Sequence, residues 1–227
     1  LAYVRQGDPE RAVADYTAAL ERNPDDPVIY HDRANAHYRA QAFGRAIADY
    51  NEAIRRRPDY VEAYLNRGLA YIALGDAPRA LKDYNQAIAL DTERAEVYNY
   101  RGQAYAQLER YDQALDDYER ALQINPQYAV AHNNRGLVYV KIEAPDRAIE
   151  AYQQAIAVKP DCATPYYNAA CVAALNKDFE QACVWLGRAV ALREGYRAMA
   201  LRDPDFNSLR ERACFKSLTE KSDAKES

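Results

Sequence analysis

Apolar and small positions along this chain come in paired helical runs, and the pair recurs every 34 residues. In residues 61–94 the runs are Ala63 to Leu74 and Ala80 to Leu90, with apolar residues three and four apart. Between them stands Gly75-Asp76-Ala77-Pro78. Glycine suits a left-handed helix end, Asp76 or Ala77 falls near the next N-cap, and Pro78 fits a first helical turn. Pro9 and Pro145 hold the matching place in their own units. Pro24, Pro58, Pro126 and Pro160 follow the second runs, which proline cannot continue, with Thr92 in the one vacant slot. Each unit is therefore predicted to be a helical hairpin, and the fixed period predicts a stack of them.

Small residues keep the same phase. Ala12, Ala46, Ala80, Ala114, Ala148 and Ala182 form one series, and Ala19, Ala53, Ala87, Ala121, Ala155 and Ala189 a second. Gly68, Gly102 and Gly136 share a slot that Ala34 and Ala170 fill elsewhere. Glycine costs a helix interior about 1 kcal/mol relative to alanine, so its repetition predicts closely approaching helices. Of the 20 tyrosines, 13 fall in three slots, which marks them as packing rather than a ligand box.

The pattern Tyr64…Arg67-Gly68…Tyr71…Ala80…Tyr84…Ala87 resembles the tetratricopeptide repeat. Whole copies cover 27–60, 61–94, 95–128, 129–162 and 163–196, and 1–26 reads as the back part of another. The resemblance implies an all-α fold, a right-handed superhelical solenoid of antiparallel hairpins whose first helices line a concave face. Within 163–196, Trp185 and Leu186 replace the Asp-Tyr of sister units, and the period fades from Tyr196. Residues 197–218 are expected to cap the stack through Phe206, Leu209, Phe215 and Leu218, and 219–227 to be disordered. Residues 1–6 read as the stub of a first helix, an incomplete edge that frays or finds a partner, at the front of what reads as a fragment or a trimmed chain.

Arg33, Arg67, Arg101 and Arg135 occupy a slot that is commonly leucine in the family, and Asp49, Asp83 and Asp117 lie 16 residues after the first three. Intra-hairpin pairs Arg33–Asp49, Arg67–Asp83 and Arg101–Asp117 are predicted. In the fourth unit Ala151 stands in the aspartate slot, so Arg135 needs another acceptor; the fifth drops both charges, with Ala169 and Trp185. An anion-binding strip of arginines is the rival reading, disfavoured because an acid is within reach of each.

A formal charge of −4 with both signs mixed offers no basic stripe for nucleic acid, and no apolar run reaches 18 residues, so no membrane insertion is expected. Cys162, Cys171, Cys183 and Cys214 contain no Cys-x-x-Cys pair; buried free thiols, and with them a reducing, cytoplasmic location, are the expectation. No phosphate loop, His-Glu-x-x-His or Gly-x-Ser-x-Gly is present, and His37 and His132 sit in tyrosine slots, while His31 is placed to touch a ligand. The reading is a non-enzymatic scaffold with no metal and no cofactor.

By the geometry the resemblance implies, the concave face carries Asn35, Leu65, Asn66, Leu69 and Ile72, then Asn99 and Gln103, then Asn133, Asn134, Leu137, Tyr167 and Asn168. Amides there can both donate to and accept from a peptide backbone, with apolar neighbours selecting side chains. The same asparagines can instead cap turns or bond within the repeat. A chaperone carboxylate clamp is excluded: Asn35 and Asn66 match it, but His31, Glu96 and Tyr100 stand where it needs cations. The expected partner is another protein, held as a peptide or helix. The alternatives are an assembly scaffold that self-associates through the N-terminal edge, and the recognition arm of a larger enzyme.

Overall fold

The computed structural model describes residues 8–219. The helix stub at 1–6 and the tail beyond Thr219 lie outside the described residues, and Thr219 itself ends a helix. Among the described residues the structure is helical, with no strand.

Two compact units divide the chain, Leu1–Ile124 and Asn125–Ser227. The first holds α1 (Pro9–Arg22), α2 (Pro27–Arg39), α3 (Phe43–Arg56), α4 (Val61–Ala73), α5 (Ala77–Leu90), α6 (Ala95–Gln107) and α7 (Tyr111–Ile124). The second holds α8 (Ala129–Lys141), α9 (Pro145–Val158), α10 (Ala163–Leu175), α11 (Phe179–Leu192), α12 (Gly195–Arg202), a 3-10 turn (Pro204–Leu209) and α13 (Ala213–Thr219). The hairpins α2–α3, α4–α5, α6–α7, α8–α9 and α10–α11 are the most tightly paired elements. This is an all-α solenoid of antiparallel helix hairpins.

The turns follow from local chemistry. Asp76 caps α5 by accepting the Arg79 amide at 3.0 Å, just ahead of a proline in the first turn. Gly75 closes α4 in the left-handed region, at φ 77°. The same slot recurs at Gln41, Glu109, Glu143 and Lys177, with φ between 56° and 64°, so four left-handed corners are made without glycine.

Tyrosine and glycine set the spacing of the helices. Tyr84, Tyr118 and Tyr152 are fully enclosed. A methyl group on Gly68 would stand 2.5 Å from Cε1 of Tyr84; the figures are 2.7 Å for Gly102 against Tyr118 and 2.5 Å for Gly136 against Tyr152. In the last hairpin both partners change together: Ala170 takes the glycine slot and the smaller Leu186 the tyrosine slot, and both are buried in one cluster.

The cap continues the register further than the fading sequence period implies. Tyr196 falls 34 residues after Cys162, in the slot of Tyr60 and Tyr128, and Asp203 falls in the slot of the arginines. Pro204 then breaks the helix into the 3-10 turn. Phe206, Leu209 and Phe215 are buried against α10 and α11. Cys183 and Cys214 are joined in a disulfide, with Cα atoms 6.1 Å apart, which corrects the expectation of four free thiols. The reason is that α13 folds back on α11, a contact outside the repeat that no period announces. The inference of a reducing compartment therefore lapses. Cys162 and Cys171 remain thiols. No described helix is long and apolar enough to cross a membrane.

Candidate functional site

Three arginines build one geometry three times. Arg33 donates from Nε and Nη2 to the two oxygens of Asp49, both at 2.7 Å. Arg67 meets Asp83 at 2.8 and 2.6 Å, and Arg101 meets Asp117 at 2.8 and 2.7 Å. Nη1 of each reaches back to the preceding helix, to Thr17 on α1 at 3.3 Å, Asn51 on α3 at 2.6 Å and Asn85 on α5 at 2.8 Å. Each guanidinium also lies over a tyrosine ring, Tyr30, Tyr64 or Tyr98. These charges are spent inside the stack. Burial pushes the Asp83 and Asp117 carboxyls above their ordinary value although an arginine grips each.

Arg135 has none of this. Ala151 replaces the aspartate and His132 the tyrosine, and its Nε is buried without a hydrogen-bond partner. Burial, with Arg135 as a smaller contributor, holds His132 below its ordinary value, and the Nε2 of His132 lies 3.1 Å from the Pro126 carbonyl.

The asparagines turn largely inward. Asn35 accepts from the Tyr50 hydroxyl at 2.6 Å and from Asn66 Nδ2 at 3.1 Å. Asn66 Nδ2 also lies 3.0 Å from His31 Nε2. His31, expected to touch a ligand, is buried in this network, with its ring 4.9 Å from that of Tyr60. Asn168 donates to Asn133 at 2.9 Å. Asn99 is fully enclosed and Asn134 is buried. Tyr167 is buried as well, stacked on Tyr196 and donating to Asp203 at 2.6 Å. The amide ladder thus links neighbouring hairpins, which spacing alone leaves undecided.

The apolar positions behave differently in the two units. Leu65, Leu69 and Ile72 on α4 are half-buried, and Leu65 and Ile72 pack on the core beneath; Gln103 is half-buried too. On α8, Val130, Leu137 and Val140 are 49%, 45% and 37% exposed, at spacings of seven and three that put them on one face. Asn133 lies beside them. One further cluster was not foreseen. A sulfur of Cys171 and carboxylate oxygens of Asp203 and Asp205 lie within 4.8 Å of one another, a set able to ligate a metal.

The sequence matches the family described as Tetratricopeptide repeat at residues 1–61, 31–95 and 129–162, and the TPR repeat family at 102–142. No curated protein sequence gives a significant match. The crystal structure of MamA matches with a TM-score of 0.64 and 28% identity, covering 71% of this chain and 95% of that one. YrrB, described as a TPR protein with an unusual peptide-binding site, matches with a TM-score of 0.60 and 23% identity, over 79% of this chain and 92% of its own. PilF of Pseudomonas aeruginosa gives 0.71 at 16% identity, over 87% and 90%. The likeness to YrrB and PilF is one of fold.

Proposed function

This chain belongs to the tetratricopeptide repeat family, and from that premise we propose that it is a protein-binding scaffold that holds an extended or helical peptide segment on its first-helix faces. The observation that carries the reading is the apolar strip of Val130, Leu137 and Val140, left in water on a helix whose opposite side is well packed. Burying such a strip is worth about 25 cal/mol per Å² removed from water, and its spacing suits a chain laid along the helix. The peptide-binding site ascribed to YrrB agrees with it. Among the asparagines, Asn133 and Asn168 border the strip and retain partly exposed surface for backbone contacts. Asn35 and Asn66 on the first unit offer the same chemistry at the rim of their network.

Selection of a displayed random-peptide library on the whole chain tests this. Selected peptides are expected to lose at least about tenfold in affinity for Leu137→Asp, since a charge replaces a fully desolvated contact. Gln153→Asp, on the exposed face of α9, serves as the control. Peptides that bind Leu137→Asp as tightly as the parent would falsify the reading. Self-association through the N-terminal edge rests on residues outside those described, so no observation favours it.

A further inference from the structure

Cys171 comes from α10, while Asp203 caps the 3-10 turn and Asp205 lies in its first turn, more than 30 residues away in sequence. All three side chains are half-buried. Asp203 is held in place on both oxygens. Its Oδ1 accepts the Asp205 amide at 3.1 Å, and its Oδ2 accepts the Tyr167 hydroxyl at 2.6 Å. The same Oδ2 lies 3.9 Å from the sulfur of Cys171.

The setting differs from that of the three fully buried aspartates. Asp49, Asp83 and Asp117 each face a guanidinium. Asp203 and Asp205 form no ion pair with lysine or arginine among the described residues, although Asp203 occupies the slot that carries arginine in four hairpins. Two carboxylates and a thiol are thus gathered half out of water with no cation to balance them. Such a gathering is unfavourable through both desolvation and like-charge repulsion. A divalent cation removes both costs.

We propose that Cys171, Asp203 and Asp205 form a binding site for a zinc-type divalent cation, which fastens the C-terminal cap to the last hairpin. One sulfur and two carboxylate oxygens suit zinc or cobalt, whereas magnesium and calcium take oxygen alone. Bond lengths near 2.3 Å to sulfur and 2.0–2.2 Å to oxygen require donors about 3.5 Å apart, so Cys171 and Asp203 need close only slightly. Binding expels the thiol proton to solvent, leaving the sulfur as thiolate. Water completes a tetrahedron, and the Tyr167 hydroxyl is the outer partner that aims Asp203.

The test is a titration of the whole chain with cobalt, without thiol reductant so that Cys183–Cys214 stays closed. One cobalt per chain is expected, with an intense thiolate-to-cobalt absorption band that zinc displaces. Cys171→Ser abolishes the band and Cys162→Ser leaves it. Tyr167→Phe weakens cobalt binding by about 10–100-fold, as loss of an orienting partner does. Melting curves in chelator establish that each variant folds, and Asp205→Asn makes the same decision should Cys171→Ser fail to fold. Absence of the band in the parent chain, or its survival in Cys171→Ser or Asp205→Asn, overturns the site. The cluster is then only a hydrogen-bonded end to the stack.

Discussion

Arg67 holds Asp83 through two parallel hydrogen bonds, and the pair sits where only 4% of the Asp83 surface meets solvent. Removing one partner strands the other. Asp83→Ala is expected to destabilise the protein by about 3–5 kcal/mol, while Arg67→Leu with Asp83→Leu recovers most of the loss. Urea denaturation of the two single variants and the double variant measures both. Additive losses in the double variant would show that the pair is not coupled.

The fourth hairpin supplies the converse case. Arg135 keeps its place without its aspartate, and a buried unpaired donor costs roughly 1–3 kcal/mol. Ala151→Asp is expected to raise stability by about 1 kcal/mol. In a background of Arg135→Leu the same substitution should destabilise, because it buries a carboxylate alone. The sign change between backgrounds is the readout.

Left-handed corners carry a steric cost for residues with a side chain, roughly 1–2 kcal/mol, partly offset when glycine gains freedom in the unfolded chain. Glu109→Gly is therefore expected to stabilise by about 0.5–1 kcal/mol, and Gly75→Ala to destabilise by about 1 kcal/mol. Thermal melts of both variants at one pH decide it.

The disulfide closes a loop of 31 residues between α11 and α13. Chain entropy for a loop of that size corresponds to roughly 3–4 kcal/mol. Cys214→Ser should lower the melting point of the second unit, and mass spectrometry of the native chain after alkylation should find two blocked cysteines of four. Four alkylated cysteines in the unreduced chain would rule the bridge out.

His132 gives a pH signature. Burial holds it below its ordinary value against the opposing hydrogen bond to the Pro126 carbonyl, with the Arg135 charge a smaller contributor, so the folded state favours the neutral ring. The unfolded chain takes up the proton near pH 6.5. Its contribution to stability is whole above that pH and is lost as the pH falls through the window between 6.5 and the lower native value. His132→Tyr restores the residue of the sister slots and removes this titration. The stability difference between parent and variant should therefore shift in favour of the variant between pH 7 and pH 5; a difference independent of pH would show that the ring titrates alike in both states.

What the sequence made legible is what repeats. Hairpins, proline stops and the arginine–aspartate partners all follow from a slot that returns at fixed phase, because identical units pack identically. The left-handed corners were open to the same reasoning: Gln41, Glu109, Glu143 and Lys177 share the slot of Gly75, but only glycine signals that conformation by its chemistry. The inward turn of Asn35, Asn66 and Asn99 was not legible, since spacing assigns a helix face and not which neighbour the face meets. Cys183–Cys214 and the Cys171 cluster escaped for another reason. Both belong to the cap, where contacts occur once and no periodicity marks them.

Asp203 standing in the arginine slot has a structural corollary. The terminal segment lies in phase with the units before it and is halted by Pro204, so the lattice of hairpins carries a ready address for one more. Splicing an additional 34-residue module ahead of that halt would add one more hairpin to the second unit, and the interlocking of arginine, tyrosine and amide side chains already prescribes how the newcomer should seat.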